Sequence, residues 1–96
     1  MTDETAVCTV VIANPQGLHA RPADMFVKLA VQFQSKIEVI KDGERVDGKS
    51  ILSILTLAAT QGTELRIEAT GPDAQAALEA LAGLVNNSFA EQETVE

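Results

Sequence analysis

The chain has 96 residues, with seven Lys and Arg against fourteen Asp and Glu, so its net charge is −7. An acidic chain lacks the basic surface that binds nucleic-acid phosphates or anionic lipids, so neither nucleic acid nor a membrane surface is an expected partner. Hydrophobic residues make up 46% of the chain, which excludes a disordered protein. We expect one domain over residues 1–96, with its core at about 7–89 and acidic termini at 1–6 and 90–96.

The first predicted elements are a strand, a loop and a helix. Side chains alternate over residues 6–13, which predicts a strand with Ala6, Cys8, Val10 and Ile12 on one side and Val7, Thr9, Val11 and Ala13 on the other. Residues 14–17 (Asn-Pro-Gln-Gly) predict a loop. Apolar residues then recur at helical spacing from about Ala20 to Gln34, with Pro22 in the first turn, so we expect an amphipathic helix that starts near His19.

A hairpin and a short helix follow. The segments Lys36–Lys41 and Glu44–Val46 flank Asp42-Gly43 and predict two paired strands, since this dipeptide favours a tight turn. Ser50 suits the N-cap of a helix from Ile51 to about Ala58. Apolar residues cover more than one face of so short a helix, which predicts that part of it is exposed.

The last predicted elements are a strand at Thr63–Thr70 and a helix that opens at Gly71-Pro72-Asp73. A solvated tail follows Phe89. The order β-α-β-β-α-β-α predicts an α+β fold, an open-faced β-sandwich with a four-stranded antiparallel sheet and three helices on one face.

Few residues in this chain could act as nucleophiles or metal ligands. Cys8, the single cysteine, cannot form an internal disulfide and reads as a buried, inert thiol. Cys8 and His19 are too few for a zinc site, so no metal or other cofactor is expected. No apolar run is long enough to span a membrane. The acidic N-terminus is unlike a signal peptide, so we expect a cytoplasmic protein without membrane insertion.

The strongest candidate site is the loop-to-helix junction around the single histidine, His19. Between Thr5 and Ala23 the only charged side chain is Arg21, whose guanidinium is a planar donor suited to phosphate oxygens. Gly17 permits a close turn, and Pro22 lies among first-turn N–H groups that attract anions. A neutral imidazole can accept a phosphoryl group here. The alternative is that His19 only caps the helix or lies at the surface, with Arg21 a solvated charge.

The sequence Gly-Leu-His-Ala-Arg-Pro-Ala at 17–23, followed by Phe-Val-Lys at 26–28, closely resembles the signature of HPr, the family of histidine phosphocarriers of the phosphoenolpyruvate-dependent sugar phosphotransferase system. Residues 48–52 resemble the family's regulatory serine segment, and residues 60–65 and 69–71 resemble its last strand and turn. The resemblance covers about residues 7–89.

The resemblance implies a carrier rather than an enzyme. His19 would take a phosphoryl group on Nδ1 from phosphorylated Enzyme I and pass it to IIA domains of sugar permeases, assisted by Arg21. Ser50 would be a regulatory phosphorylation site for HPr kinase/phosphorylase, in addition to its role as an N-cap. Partner binding would use the second helix and two lysines: Ile51, Leu52, Leu55, Lys28 and Lys49. Ile54 and Leu57 are expected in the core, and the protein is expected to be a monomer.

Three residues depart from the family pattern. Asp24 places an acid where the family usually has a neutral residue, and we expect it in the first turn near Arg21. Val31 and Ser53 also differ from residues common in branches of the family. These departures leave the phosphorylation motif intact and bear on the choice of partners.

Two other functions compete with the carrier. One is a regulatory module of the same fold that controls carbon or nitrogen metabolism through its phosphorylation state. A relative that had lost phosphoryl transfer would be expected to lack the histidine, whereas His19 is present. The other, a small Cys/His hydrolase, is disfavoured because Cys8 is predicted inside a strand with no oxyanion site beside it.

Overall fold

The computed structural model describes residues 4–89, which form four strands and three helices in the predicted order. The elements are β1 (Glu4–Val11), α1 (Ala20–Ala30), β2 (Lys36–Lys41), β3 (Glu44–Asp47), α2 (Ile51–Thr56), β4 (Glu64–Gly71) and α3 (Ala74–Asn86). The tail predicted after Phe89 lies outside the described residues. No helix within residues 4–89 has the length and apolar character needed to cross a membrane.

The four strands form one antiparallel sheet in the order β1-β4-β2-β3. β1 pairs with β4 without interruption, from Glu4 opposite Gly71 to Val11 opposite Glu64. β2 pairs with β4 on one side and with β3 on the other. The predicted α+β fold, an open-faced sandwich, is therefore confirmed.

One face of the sheet packs against the helices and forms the core. Apart from Gly71, the buried strand residues are all aliphatic: Val10, Ile37, Val39, Leu65, Ile67 and Ala69. Phe26 of α1 and Leu81 of α3 pack against them. Burial of this apolar surface is the main term that stabilises the fold, and it fixes α1 on the sheet.

The other face of the sheet is largely exposed and mostly polar, although Val7 and Val11 of β1 also lie on it. Glu38 of β2 and Glu68 of β4 lie directly opposite each other, and Arg45 Nη1 lies 2.7 Å from a carboxylate oxygen of each. The hydrogen bond from Arg45 lowers the pKa of Glu68. One guanidinium therefore relieves a like-charge pair that would otherwise disfavour this register.

The predicted hairpin turn is confirmed. Asp42 and Gly43 connect β2 to β3 with φ values of 51° and 84°. Two successive positive φ values define the turn whose twist matches the flanking strands, and Asp-Gly adopts it readily.

Helix α1 ends at Ala30, so its predicted end at Gln34 is wrong. The N–H of Phe33 bonds to the carbonyl of Ala30, three residues back, which tightens the last turn. The N–H groups of Gln34 and Ser35 then donate to the carboxylate of Asp73 at 2.9 Å each. A side chain 39 positions from Gln34 competes with helix continuation, and local periodicity cannot show that.

Asp73 was predicted to open α3, and it occupies the N-cap position without making a side-chain cap. Its carboxylate instead accepts the two N–H groups of the α1–β2 loop and the Ser35 hydroxyl, at 2.6 Å. The hydrogen bond from the Ser35 side chain is the largest cause that lowers the pKa of Asp73, and the N–H groups of Gln34 and Ser35 add to it.

We expect Asp73→Asn to destabilise the protein at neutral pH. A carboxylate whose pKa is lower in the folded protein stabilises the fold at pH values above its pKa in the unfolded chain, about 4. This stabilisation is lost as the pH falls through the pKa of the folded protein. Urea unfolding at several pH values should show wild type and Asp73→Asn converging below about pH 4. The exposed Glu44→Gln removes one charge at the start of β3 as a control. A constant difference between wild type and Asp73→Asn across that pH range would contradict the prediction.

Candidate functional site

The loop that precedes α1 is held by the loop between α2 and β4. The N–H of Leu18 donates to the carbonyl of Ala59 at 2.8 Å, and the N–H of Gly62 donates to the carbonyl of Ile12 at 2.7 Å. Both Leu18 and Ile12 are buried in the core. The backbone on the N-terminal side of His19 is therefore fixed by long-range bonds and by burial.

Gly17 closes the turn before the histidine. Its φ is +70°, and a Cβ at this position would lie 2.5 Å from the carbonyl oxygen of Ala59. The N–H of Gly17 donates to the carbonyl of Asn14, and the Asn14 side-chain amide donates back to the carbonyl of Gly17 at 2.7 Å. Both the dihedral and the close approach require glycine at this turn.

His19 occupies the N-cap position of α1, in extended conformation, with φ −83° and ψ −168°. Its carbonyl accepts the first helical hydrogen bond, from Ala23 N–H at 3.0 Å. The half-buried imidazole makes no capping hydrogen bond to the helix. The alternative in which this side chain serves as the helix cap is therefore wrong.

The first turn of α1 presents positive charge at the same end. Ala20 and Arg21 are the first two helical residues, so their N–H groups have no carbonyl one turn back to bind. Pro22, the third, lacks an N–H group and is buried. The Arg21 side chain is exposed and makes no ion pair within residues 4–89. Oriented N–H groups and a guanidinium at one helix end can bind phosphate oxygens.

Asp24 does not lie in the first turn. α1 begins at Ala20 and its first turn contains no acid, so the predicted first-turn position of Asp24 is wrong. Asp24 lies one turn further along and pairs with Lys28 at 3.0 Å. Lys28, predicted to bind partners, is 75% exposed in this pair.

The second helix is largely as predicted. The Ser50 hydroxyl accepts the N–H of Ser53 at 3.2 Å, so Ser50 is the N-cap. The helix ends at Thr56, before the predicted end at Ala58, whose φ of 51° breaks the helix.

The apolar residues of α2 divide into a buried and an exposed group. Ile54 and Leu57 are 1% and 2% exposed and lie in the core as predicted. Leu52 is 73% exposed, while Ile51 and Leu55 are half-buried. We name Ile51, Leu52 and Leu55 the docking face.

Lys49, which directly precedes the N-cap of α2, points back to α1. Its ammonium donates to the carbonyl of Phe33 at 2.8 Å, and its N–H donates to the Asp47 carboxylate at 2.9 Å. The structure therefore gives this predicted partner-binding lysine an internal contact.

Cys8 lies on the inward face of β1 opposite Ile67, and burial raises the pKa of its thiol. A protonated thiol is a poor nucleophile. No group of three or more His, Cys, Asp or Glu side chains within residues 4–89 is placed to hold a metal ion.

The supporting residues Ala59 and Gln61 were not predicted. Gln61 Nε2 donates to the carbonyl of Ala13 at 3.0 Å, which adds a side-chain bond to the backbone bonds between the two loops. No short-range signal marks these contacts. Asn14 carried a usable signal, because Asn side chains often bond the backbone of their own turn.

Comparison with known proteins decides the family. The profile described as "PTS HPr component phosphorylation site" matches residues 7–87 of the chain. The chain belongs to the HPr family. It is thus a phosphocarrier of the phosphotransferase system and not an enzyme, as the resemblance implied.

Relatives match nearly the whole chain. The HPr of Treponema pallidum is 44% identical over 86 residues, which cover 90% of this chain and 98% of that protein. The crystal structure of HPr-C-His from Thermoanaerobacter tengcongensis is 41% identical with a TM-score of 0.86, covering 88% of this chain and 96% of that one.

A third relative is the HPr-like protein Crh of Bacillus subtilis. It is 48% identical over 69 residues, which cover 72% of this chain and 81% of Crh. A Crh crystal structure with a TM-score of 0.71, covering 82% of this chain and 91% of that one, is described as a dimer with a swapped domain and as a catabolite repression protein.

Proposed function

We propose that this HPr-family chain accepts a phosphoryl group on His19 from phosphorylated Enzyme I and passes it to IIA domains of sugar permeases. The observation that carries this proposal is the position of His19. Its imidazole stands at the start of α1 without capping the helix, and Arg21 is exposed on the same turn. The family match over residues 7–87 includes both.

The chemistry needs only groups at this helix end. A neutral imidazole nitrogen, Nδ1 in the family, attacks the phosphorus of the group carried by Enzyme I. The new N–P bond forms as the donor's bond to phosphorus breaks, and the donor keeps that electron pair. The N–H groups of Ala20 and Arg21, with the guanidinium, stabilise the charged phosphoryl oxygens.

Partner binding is proposed to use the docking face. Leu52 is exposed although it is apolar, and an exposed apolar side chain next to charged residues suits a transient contact with rapid release. Lys28, 75% exposed, is placed to steer an acidic partner. Lys49, expected on the same surface, donates instead to the carbonyl of Phe33.

Ser50 is proposed as a site for HPr kinase/phosphorylase. A phosphate on its hydroxyl would add a charge of about −1.5 to −2 at the N-terminus of α2, and the same charge would lie beside the apolar docking face. We therefore expect weaker transfer from Enzyme I when Ser50 is phosphorylated. The kinase with ATP should give an acid-stable phosphate that is lost in Ser50→Ala, and a label that persists in this variant would refute the assignment.

Three further parts of the proposal concern organisation. We propose a cytoplasmic protein, a single HPr-like domain with its core at about 7–89, and a monomer. The last point is open to a direct measurement of mass in solution, since the related Crh structure is described as a dimer.

The second candidate is the regulatory module. The 48% identity with Crh over 69 residues favours it. His19 and Arg21 favour the carrier, because a purely regulatory protein has no need of a phosphoryl-accepting histidine. Transfer from Enzyme I separates the two functions.

The test is phosphorylation by Enzyme I with labelled phosphoenolpyruvate. The wild type should acquire an acid-labile phosphate, and His19→Ala should acquire none, because the accepting nitrogen is removed. Ser50→Ala is the control and should keep the label. Absence of label on the wild type would exclude the carrier function, and label on His19→Ala would exclude His19 as the acceptor.

A further inference from the structure

Lys49 joins the two helices that the proposed function needs. Its ammonium lies 2.8 Å from the carbonyl oxygen of Phe33, and this contact is partly buried. Phe33 follows the C-terminal end of α1, the helix that carries His19 at its other end. Ser50, the next residue after Lys49, is the N-cap of α2.

The acceptor is one that favours a cation. Phe33 lies three residues beyond Ala30, the last residue of α1, so its carbonyl oxygen stands near the helix end that the dipole makes negative. An ammonium here satisfies an unpaired acceptor and complements the dipole. The contact is therefore favourable in the free protein, before any partner binds.

The backbone of Lys49 is itself held in place. Its N–H donates to Asp47 Oδ1 at 2.9 Å, and the N–H of Ser50 donates to the carbonyl of Asp47 at 3.3 Å. The side chain therefore extends from a fixed point just before α2 to the loop just after α1.

We propose that Lys49 is a positioning residue, which fixes the docking face of α2 relative to His19 on α1. This inference rests on the proposed function, because it assigns Lys49 to the geometry of the partner-binding surface. It replaces the expectation that Lys49 contacts the partner. Lys28, at 75% exposure and paired with Asp24 of its own helix, is better placed for that.

The test uses the free protein and thereby separates the proposal from phosphoryl transfer. Lys49→Met keeps the aliphatic stem and removes the donor. We expect a shift of the Gln34 amide resonance, since the Phe33 carbonyl belongs to the same peptide unit. We also expect amide hydrogen exchange in α2, at Ile54 N–H for example, to be about two- to tenfold faster, as for one lost hydrogen bond.

Two further variants make the result decisive. Lys36→Met removes the same charge from an exposed side chain on the open face of the sheet and should change neither readout. Lys49→Arg keeps a cationic donor and should restore slow exchange. If Lys49→Met leaves the Gln34 resonance and the α2 exchange rates unchanged, the proposal is overturned, whether or not transfer from Enzyme I slows. A protein that receives no phosphate from Enzyme I but shows these changes would refute the function and not the positioning.

Discussion

Gly17→Ala is expected to destabilise the protein and to impair phosphorylation of His19 at the same time. The φ of +70° costs a residue with a Cβ about 1–2 kcal/mol. The Cβ would also lie 2.5 Å from the carbonyl oxygen of Ala59, so the two loops must move apart. That oxygen accepts the N–H of Leu18, the residue before His19. The displacement therefore reaches the phosphorylation site.

Urea unfolding and labelling by Enzyme I measure the two effects. Gly83→Ala is a matched control, since Gly83 lies within α3 and a Cβ there would meet nothing within 4 Å. This control should gain up to about 1 kcal/mol from the higher helix propensity of alanine and should be labelled normally. Gly17→Ala with wild-type stability would show that the loop adapts, and the proposed coupling of the two loops would be wrong.

Two substitutions on α2 are expected to affect different properties, one the stability of the protein and the other partner binding. Ile54 is 1% exposed and Leu52 is 73% exposed, although they are two residues apart on α2. Ile54→Ala should lower the free energy of unfolding by about 2–5 kcal/mol, because it leaves a cavity in the core. Leu52→Ala should change it by less than about 0.5 kcal/mol.

The effect on binding to Enzyme I should be the reverse, large for Leu52→Ala and small for Ile54→Ala. Leu52→Ala is expected to raise the KM of Enzyme I for this protein, because an apolar contact with the partner is removed. Ile54→Ala, assayed at a temperature where it stays folded, should retain a KM near that of wild type. Unchanged KM in Leu52→Ala would remove Leu52 from the docking face.

The order of the elements could be predicted from the sequence because each boundary has a local cause. Asp42-Gly43 specifies its turn through backbone preference, and Ser50 caps α2 through its own hydroxyl. The end of α1 could not be predicted, since Asp73 and Lys49 bind the residues after Ala30 from distant parts of the chain.

The candidate site also has parts that the sequence predicts and parts that it does not. His19 and Arg21 stand out because of residue type, position at a helix start and the family motif. The bonds from Ala59, Gly62 and Gln61 that hold the preceding loop are invisible in the sequence, because they depend on the pairing of β1 with β4. Asp24 falls just beyond the first turn because α1 begins at Ala20, and its carboxylate pairs with Lys28 and not with Arg21.

The pairing of the first strand with the last has a consequence for synthesis on the ribosome. β1 and the histidine motif are made early, but β4 begins at Glu64 and closes the sheet only when it has emerged. At about 5–20 residues per second, the nascent motif waits several seconds for the segment that holds it. A ribosome-bound chain that ends before Ala59 already contains every residue of the motif, yet it has no bound loop to orient the imidazole. Competence to accept phosphate is thus expected late in translation, with the pairing of the last strand.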